Sequence, residues 1–352
     1  MMKEIKIGNR RIGPGHPTFV IAEMSGNHNL DYNRAEAIVR AAKEAGADAV
    51  KLQTYTADTI TLNSNEPCFM TDPDGLWANQ SLYELYQQAY TPWEWQPKLK
   101  KLADELGILL FSSPFDVTAV DFLEKMDVPA YKIASFEMND VQLIRKCAET
   151  GKPIIMSTGI SDLADIDLAI KTCKSVGNNQ IILLKCTSEY PAPFENMNLR
   201  MIPSLSETFD CVSGLSDHSM GDEVAIAAVT LGASVIEKHF TLNRADGGVD
   251  SAFSMDIPEM TAMVKHIRNI EAALGKVDYT LTEDQIKDRH FSRSLFVCKD
   301  IRKGEEFTYE NVRSVRPDNG LPVKYLESLI GKKATKDLKF ATPLSLSDIE
   351  WN

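Results

Sequence analysis

Two short apolar runs in this sequence each end in a histidine: GLSDH at 214–218 and VIEKH at 235–239. If these runs are neighbouring parallel strands of a barrel, His218 and His239 would meet at its carboxyl-terminal mouth. Two neutral imidazoles can bind a divalent cation that keeps positions open for water and substrate oxygens. The alternative is a pair of histidines satisfied by ordinary hydrogen bonds, which by itself explains either residue.

Lysines interrupt or end other apolar runs. Lys51 in AVKLQTY and Lys132 in AYKIASFE would be costly inside strands without an anionic partner, and Lys185 ends a third run. Small hydroxyl residues close the same runs: Ser113, Ser135, Ser157, Thr158, Ser188 and Ser216. Any one of them could simply cap a helix. Together, lysines, hydroxyls and turn amides that converge on one point are typical of a phosphate or carboxylate pocket.

Carboxylates occur in the same segments. Glu23 follows the run FVIA, and Glu137 lies two residues after Ser135 in KIASFE. Either could transfer protons if its surroundings tuned its pKa. Asp217 and Asp250 are weaker candidates, because a loop aspartate is more often a turn residue. His28, in SGNHN, could also line the mouth.

The elements that would position these residues alternate between strand and amphipathic helix. Strand candidates begin at or near positions 19, 49, 108, 130, 153, 181, 211 and 235. Helical stretches between them, such as YNRAEAIVRAAKEAG, repeat apolar residues at about 3.6-residue spacing and end in Gly. Eight such units over about 250 residues predict an α/β fold of the (β/α)8 TIM-barrel type. An open doubly wound sheet is the alternative, but no glycine-rich fingerprint follows the first strand.

Two further segments shape the predicted architecture. The connection at 55–95 is too long for a plain loop, so we expect a lid or binding loop over the mouth of the barrel. After residue 275 the pattern changes to short strands and tight turns. We therefore predict a catalytic domain at 1–275, a charged linker at 276–292 and a small domain at 293–352, whose single small core would gain from docking on a partner.

Composition excludes several classes of function. The net charge of −12 argues against a nucleic-acid partner. There is no run of about 18 apolar residues, which a membrane span would need, and the N-terminus lacks the apolar stretch of a signal peptide. Six scattered cysteines without a CxxC pair favour reduced thiols. These features predict a cytoplasmic protein.

Taken in order, a series of segments resembles the sialic acid synthase family: IAEMSGNHN, VKLQTY, FSSPFD, YKIASFE, STG, KCTSEYP, GLSDH and EKHFT. The C-terminal segment containing SVRPDNG resembles the small antifreeze-like (SAF-type) domain of that family. The resemblance covers essentially the whole chain. Within the family, GLWANQSLYELYQQAYTPWEW, LLKCTSEYPAP and DGGVDSAFSM look like the pseudaminic acid branch rather than the N-acetylneuraminate branch.

The resemblance implies a transferase that condenses phosphoenolpyruvate with an open-chain amino sugar and water. By the branch resemblance, the sugar is 2,4-diacetamido-2,4,6-trideoxy-L-altrose, and the products are pseudaminic acid and phosphate, released by C–O cleavage. It also implies a divalent cofactor, Mn²⁺ or Mg²⁺, and a domain-swapped homodimer. N-acetylneuraminate or legionaminic acid synthesis are the alternatives within the family. A Schiff-base class I aldolase or an interaction module on an inactive barrel are the alternatives outside it.

The resemblance also carries roles to individual residues. His218 and His239 match the metal ligands, Glu23 matches a residue implicated in the chemistry, and Arg316 matches an arginine that reaches the partner protomer's site. The phosphoenolpyruvate pocket corresponds to Lys51, Ser113, Lys132, Ser135, Ser157 and Ser216. The sugar side corresponds to Glu137, Tyr190 and Asp250.

Four more residues complete the expected site. Lys185 and Ser188 stand where sialic acid synthases carry histidine and asparagine, and we associate both departures with the choice of sugar. We expect Glu23 and Glu137 to transfer protons. Trp77 and Phe253 are expected to supply apolar contacts where the deoxy sugar lacks a hydroxyl.

Overall fold

The chain divides into two compact units. The computed structural model describes residues 4–351, and its units are Met1–Gly275 and Lys276–Asn352. The first unit opens with a short antiparallel hairpin of β1 (Ile5–Ile7) and β2 (Arg10–Ile12). The barrel and its helices follow.

Eight parallel strands close into a barrel, which confirms the predicted fold class. The strand that begins at Val235 pairs with the one that begins at Phe19 and closes the ring, so that His239 stands opposite Glu23. The barrel strands are β3 (Phe19–Glu23), β4 (Ala49–Thr54), β5 (Leu109–Pro114), β6 (Tyr131–Ile133), β7 (Ile154–Ser157), β8 (Ile181–Cys186), β9 (Val212–Asp217) and β10 (Val235–His239).

Helices cover the outside of the barrel and follow the predicted amphipathic pattern. In the first helix, Asp31 caps the amino end by accepting a hydrogen bond from the Asn33 amide, and Ala35, Ile38 and Val39 form its buried face. The helices of this unit are α1 (Tyr32–Glu44), α2 (Ala57–Ile60), α3 (Leu82–Ala89), α4 (Gln96–Leu106), α5 (Val117–Lys125), α6 (Val141–Glu149), α7 (Leu163–Ser175), α8 (Met201–Phe209), α9 (Glu223–Thr230) and α10 (Ile257–Leu274).

The barrel strands are buried on both faces, as parallel sheets usually are. Most of their side chains are apolar, and the few charged ones are therefore informative. Lys51, Lys132 and Glu237 are buried within strands. Lys238 is also buried, but its ammonium lies 2.7 Å from Asp217 and donates to the Ser219 and Gly221 carbonyls, which satisfies it away from the other three.

The long connection between β4 and β5 is structured. It contains α2, α3 and two single 3-10 turns, Pro67–Phe69 and Trp93–Trp95. Ser81 and Glu84 form a capping box at the start of α3. The Trp77 indole donates to the Val249 carbonyl at 2.8 Å, so this segment is fastened to the connection that follows β10.

The second unit has its own small core and consists mostly of short strands. Leu295, Phe307, Val312 and Leu329 are among its buried residues. Its elements are α11 (Glu283–Asp288), β11 (Ser294–Val297), β12 (Val312–Val315), β13 (Leu321–Pro322), α12 (Leu326–Leu329), β14 (Lys333–Ala334) and β15 (Ile349–Glu350). Across residues 4–351, no helix has the length and apolar character required to span a bilayer.

Candidate active site

A cavity of about 540 Å³ lies at the carboxyl ends of the barrel strands. Its polar side is lined by Lys51, Lys132, Ser135, Ser157, Ser216, His218, Glu237, His239 and Asp250. The segment between β4 and β5 supplies most of an apolar wall, with Tyr55, Ile60, Met70, Trp77, Leu82, Leu85, Tyr86 and Ala89. Residues distant in sequence meet here because every strand of a parallel barrel ends at the same mouth.

The two lysines of the cavity are neutralised by buried glutamates. The Lys51 ammonium lies 2.6 Å from Glu23 Oε2 and 3.5 Å from Glu237 Oε1, and the Lys132 ammonium lies 3.6 Å from the same Glu237 oxygen. Burial opposes a charge on Lys51, but the two glutamates raise its pKa above the ordinary value. Burial lowers the pKa of Lys132, which Glu237 only partly offsets. In the absence of substrate, the Lys51 and Lys132 ammonium groups are therefore paired with carboxylates of the protein itself.

Glu237 is a site residue that the sequence reasoning missed. Burial opposes its ionisation, but Lys132 and Lys51 hold its pKa below the ordinary value, so the carboxylate is charged. Side chains two positions apart on a strand share a face. Glu237 precedes His239 by two positions in VIEKH, and this spacing was the signal that could have identified it.

The predicted hydroxyl residues lie around the lysines. Ser113 accepts a hydrogen bond from the Lys51 ammonium at 3.2 Å, and Ser135 and Ser188 share a hydrogen bond at 2.7 Å. Ser216 donates to Glu237 at 3.4 Å. The buried Ser157 hydroxyl has no hydrogen-bond partner within the described part of the chain, although it lines the cavity. A buried hydroxyl without a protein partner that lines a cavity is available to a bound ligand, ion or water.

The two histidines lie together, with ring centroids 5.3 Å apart. His218 Nδ1 donates to the Thr187 carbonyl at 2.8 Å, which makes Nε2 the ring nitrogen that would bind a cation. His239 Nδ1 is buried and has no hydrogen-bond partner among residues 4–351. Burial, reinforced by His218 and the lysines, holds the pKa of His239 well below its ordinary value, so the ring is neutral and can bind a cation.

These histidines fit a two-imidazole cation site rather than a closed protein cage. No group of three or more His, Cys, Asp or Glu side chains with metal-binding geometry occurs among residues 4–351. Burial opposes a charge on His218, but its hydrogen bonds with Cys186 and the Thr187 carbonyl raise its pKa above the ordinary value. A cation bound there would therefore displace a proton. The remaining coordination positions would be open to water or substrate.

The carboxylates differ in their surroundings. Glu23 accepts a hydrogen bond from Gln53 at 3.0 Å in addition to its contact with Lys51, and burial raises its pKa. Burial raises the pKa of Glu137 to about 7, with Lys132 opposing the shift, and its Oε2 has no hydrogen-bond partner in the described structure. A carboxyl group that titrates near neutrality can act as a general acid or base.

The sugar-side residues surround the histidines. The Tyr190 ring lies 4.4 Å from the His218 ring by centroid, and Asp250 Oδ2 lies 3.9 Å from His239 Nδ1. Trp77 lines the cavity and contacts the Tyr190 ring at 5.7 Å. The Phe253 side chain is buried against the His239 and Tyr190 rings, at 4.9 and 5.1 Å between ring centroids, and is not part of the cavity lining, so its contact with the sugar stays a prediction.

Several other sequence candidates lie outside the cavity lining. The Lys185 ammonium donates to the carbonyl of Cys186 and the hydroxyl of Thr187, the next two residues of its own chain. Asp217 accepts a hydrogen bond from the Lys238 ammonium. The His28 ring is hydrogen-bonded to the Thr91 hydroxyl, which belongs to the long connection. Thr158 donates to the Leu184 carbonyl. Arg316 belongs to the second unit.

Known proteins match both units of the chain. Residues 38–279 match the NeuB family and residues 292–350 match the SAF domain. The pseudaminic acid synthase of Campylobacter jejuni is 47% identical over 98% of this chain and 100% of its own length. That of Helicobacter pylori is 48% identical over 95% and 98%. The N,N'-diacetyllegionaminic acid synthase of Legionella pneumophila is 35% identical over 96% of both chains.

Two solved structures share the architecture. The crystal structure of spore coat polysaccharide biosynthesis protein spsE from Bacillus subtilis superposes with a TM-score of 0.67, at 34% identity, over 99% of this chain and 100% of that one. The N-acetylneuraminic acid synthetase of Leptospira borgpetersenii, solved in complex with citrate, gives a TM-score of 0.72 at 30% identity, over 82% and 95%.

Proposed function

The chain belongs to the NeuB family, and from that premise we propose that it condenses phosphoenolpyruvate with 2,4-diacetamido-2,4,6-trideoxy-L-altrose and water to give pseudaminic acid and phosphate. It is an enzyme of the nonulosonic acid synthase class. The observation that carries the choice of sugar is the contrast in identity along nearly the whole chain. Identity is 47–48% with pseudaminic acid synthases and 35–36% with legionaminic acid synthases.

The polar floor of the cavity supports binding of phosphoenolpyruvate. Lys51 and Lys132 supply positive charge, and the unpaired Ser157 hydroxyl supplies a donor. Ser135 and Ser216 line the same floor. These groups are fixed before the substrate arrives, so they can hold the phosphate and carboxylate groups without reorganisation during the reaction. Positioning of this kind accounts for a large part of the rate of a two-substrate reaction.

His218 and His239 are the residues that would hold a divalent cation, and we propose Mn²⁺ or Mg²⁺. Both rings lie at the mouth of the cavity, next to Tyr190 and Asp250. When bound, such an ion supplies Lewis acidity for the sugar carbonyl.

The proposed reaction forms a bond between C3 of phosphoenolpyruvate and the aldehyde carbon of the sugar, and the aldehyde oxygen takes up a proton. Because the electron pair of the C2–C3 double bond forms this new bond, C2 acquires positive character. Water then adds to C2 with loss of a proton. The tetrahedral intermediate then releases phosphate by cleavage of its C–O bond, which leaves the 2-keto group. Glu137, with a pKa of about 7, is suited to one of these proton transfers, and we assign Glu23 to the other.

The apolar wall supports a deoxy diacetamido sugar. Tyr55, Leu82, Tyr86 and Trp77 offer carbon surface to the C6 methyl and the acetamido methyls. The indole of Trp77 is held in place by the Val249 carbonyl. A pocket of this kind offers little to a sugar hydroxyl, although apolar pockets discriminate against an added hydroxyl by only ~100-fold.

We further propose a domain-swapped homodimer in which Arg316 of one protomer reaches the site of its partner. The second unit has a small core of its own, and such a unit gains stability from docking. The segment 276–292 is long and charged enough to carry it to another protomer. A guanidinium would add a bidentate donor for an anionic substrate.

A Schiff-base aldolase is the alternative of a different class. It would need a lysine with a lowered pKa. Glu23 and Glu237 raise the pKa of Lys51 despite its burial, which argues against Lys51 in that role, whereas burial lowers the pKa of Lys132. Reduction with borohydride in the presence of the keto acid, followed by mass spectrometry, distinguishes the two mechanisms. A covalent adduct on Lys51 or Lys132 would support the aldolase.

The test of the proposed substrate measures phosphate release from phosphoenolpyruvate with a panel of aldoses. We expect the 6-deoxy diacetamido altrose to have a higher kcat/KM than N-acetylmannosamine or the legionaminic acid precursor. A parallel series with excess chelator tests the cation requirement. Equal kcat/KM values for all three sugars would contradict the choice of sugar, and full activity in chelator would contradict the cation site.

A further inference from the structure

The turn after the first barrel strand contains a serine in a backbone conformation that disfavours it. Ser25 has a φ of 47°, in the left-handed region where glycine is the residue without steric cost. Its side chain is buried and lines the cavity. A non-glycine residue in such a conformation is commonly kept at a functional site because its side chain is needed there.

The Ser25 hydroxyl joins two carboxylates of the site. It donates its single proton to Asp250 Oδ2 and accepts a hydrogen bond from Gln53 Nε2 at 3.2 Å. The same Gln53 nitrogen donates to Glu23 Oε1 at 3.0 Å. A continuous hydrogen-bonded chain therefore runs from Glu23, which touches Lys51, to Asp250, which lies beside His239.

Asp250 depends on this contact for its orientation. It lies in the connection after β10, immediately before the single 3-10 turn Ser251–Phe253, and not on a strand. Its carboxylate accepts from the Ser25 hydroxyl and from the Gly26 amide, both of which belong to the turn after β3. A Cβ at Gly26 would lie 3.1 Å from the Ala89 Cα of α3, so this turn has little freedom to move. The turn is thus a fixed support for a carboxylate that comes from a loop.

We infer that Ser25 is a positioning residue for the sugar substrate. Its hydroxyl holds the Asp250 carboxylate in one rotamer, so that the carboxylate can accept hydrogen bonds from hydroxyl or acetamido N–H groups of the open-chain sugar. The inference rests on the proposed function, because it assigns Asp250 to the sugar and not to phosphoenolpyruvate. It also explains the left-handed serine, since glycine would fit the backbone but would leave Asp250 without its hydroxyl donor.

The test compares Ser25→Gly and Ser25→Ala with the wild-type enzyme in steady-state kinetics. We expect kcat/KM for the sugar to fall about 10- to 100-fold in both variants, because a misplaced binding group costs up to about 100-fold. The KM for phosphoenolpyruvate should change by less than about twofold. Thermal unfolding of Ser25→Gly should occur at a higher temperature than that of Ser25→Ala, because both variants lose the hydroxyl but only glycine relieves the left-handed strain.

Two controls separate the hydroxyl from the backbone. Leu30 lies in the same turn with a φ of 54°, and Leu30→Gly removes the same kind of strain without touching the carboxylates, so its kinetics should remain wild-type. The double variant Ser25→Gly with Asp250→Asn should lose little more kcat/KM for the sugar than Asp250→Asn alone. The reason is that both substitutions disrupt the same Ser25–Asp250 contact.

Wild-type kcat/KM in Ser25→Gly would overturn the inference, and so would fully additive losses in the double variant. A loss expressed equally in the phosphoenolpyruvate KM would also overturn it, because the change would then have disturbed the anion pocket. The same double-mutant cycle measured by urea unfolding needs no substrate. If the wild-type enzyme turned over none of the aldoses, the proposed function would fail, and coupling in unfolding would still decide whether Ser25 holds Asp250.

Discussion

Replacing Glu237 by glutamine should destabilise the free enzyme and make its stability depend more strongly on bound anions. The Glu237 carboxylate lies 3.5 Å from the Lys51 ammonium and 3.6 Å from the Lys132 ammonium. With an effective dielectric constant of about 20, each contact contributes about 5 kcal/mol of attraction before desolvation is counted. Because removal of one member of a buried ion pair costs about 3–5 kcal/mol, we expect a loss of that size in the free energy of unfolding.

A phosphate ion in the cavity would replace the missing negative charge. Its stabilising effect should therefore be larger in Glu237→Gln than in the wild-type enzyme, and saturating phosphate should recover at least about half of the loss. Urea unfolding with and without inorganic phosphate measures both quantities. Glu36→Gln is the matched control, since Glu36 pairs with Arg40 at 2.7 Å on an exposed helix face and should change the free energy by less than about 0.5 kcal/mol.

The two outcomes of this experiment separate charge from packing. A Glu237→Gln variant as stable as wild type would refute the internal balance of charges described for the free site. A stability loss that phosphate does not reduce would show that Glu237 supports the fold and does not occupy the place of a substrate anion.

Three further predictions concern the cation, a titrating carboxyl and the second unit. His239→Ala should reduce turnover at least about 100-fold while circular dichroism and thermal unfolding stay near wild type, because the imidazole supplies one of two cation ligands. Glu137 has a pKa of about 7 in the folded chain and an ordinary value of 4.5, so its proton stays bound in the folded state after the unfolded chain has released it. The free energy of unfolding should therefore fall by up to about 3 kcal/mol as pH rises from about 4.5 to about 7, and Glu137→Gln should remove this slope. Arg316→Ala should be inactive alone but regain about a quarter of wild-type activity when mixed with His239→Ala, since half of the dimers would then hold one intact site. An absence of rescue, with subunit exchange verified, would place Arg316 in its own protomer's site or outside it.

The barrel could be predicted because its strands repeat one simple pattern. Each of the eight apolar runs forms a strand, and β10 pairs with β3 to close the ring. Closure of a parallel barrel then brings the strand ends together, which is why His218 and His239 could be placed side by side from the sequence. The long connection was also recognisable, since a segment of that length without a function is uncommon in a compact domain.

The parts that could not be predicted depend on side-chain direction and on loop conformation. Lys185 and Lys51 both follow apolar runs, yet only Lys51 points into the cavity, because neighbouring positions on a strand face opposite sides. Glu237 was missed because a glutamate is rarely buried unless it is paired with a cation. The sequence alone does not show that Lys51 and Lys132 are its partners. The contact of Ser25 with Asp250 joins two loops that are 225 residues apart, and no local pattern encodes it.

The central claim is that phosphoenolpyruvate is condensed with the sugar and loses phosphate through its C–O bond. The most direct measurement uses phosphoenolpyruvate labelled with oxygen-18 at the bridging position, together with 2,4-diacetamido-2,4,6-trideoxy-L-altrose. Mass spectrometry of both products then locates the label. The proposed reaction predicts that all of the label leaves with phosphate and that the sugar acid carries oxygen from water at C2. Label retained at C2 of the sugar acid would show cleavage of the P–O bond and would contradict the proposed mechanism.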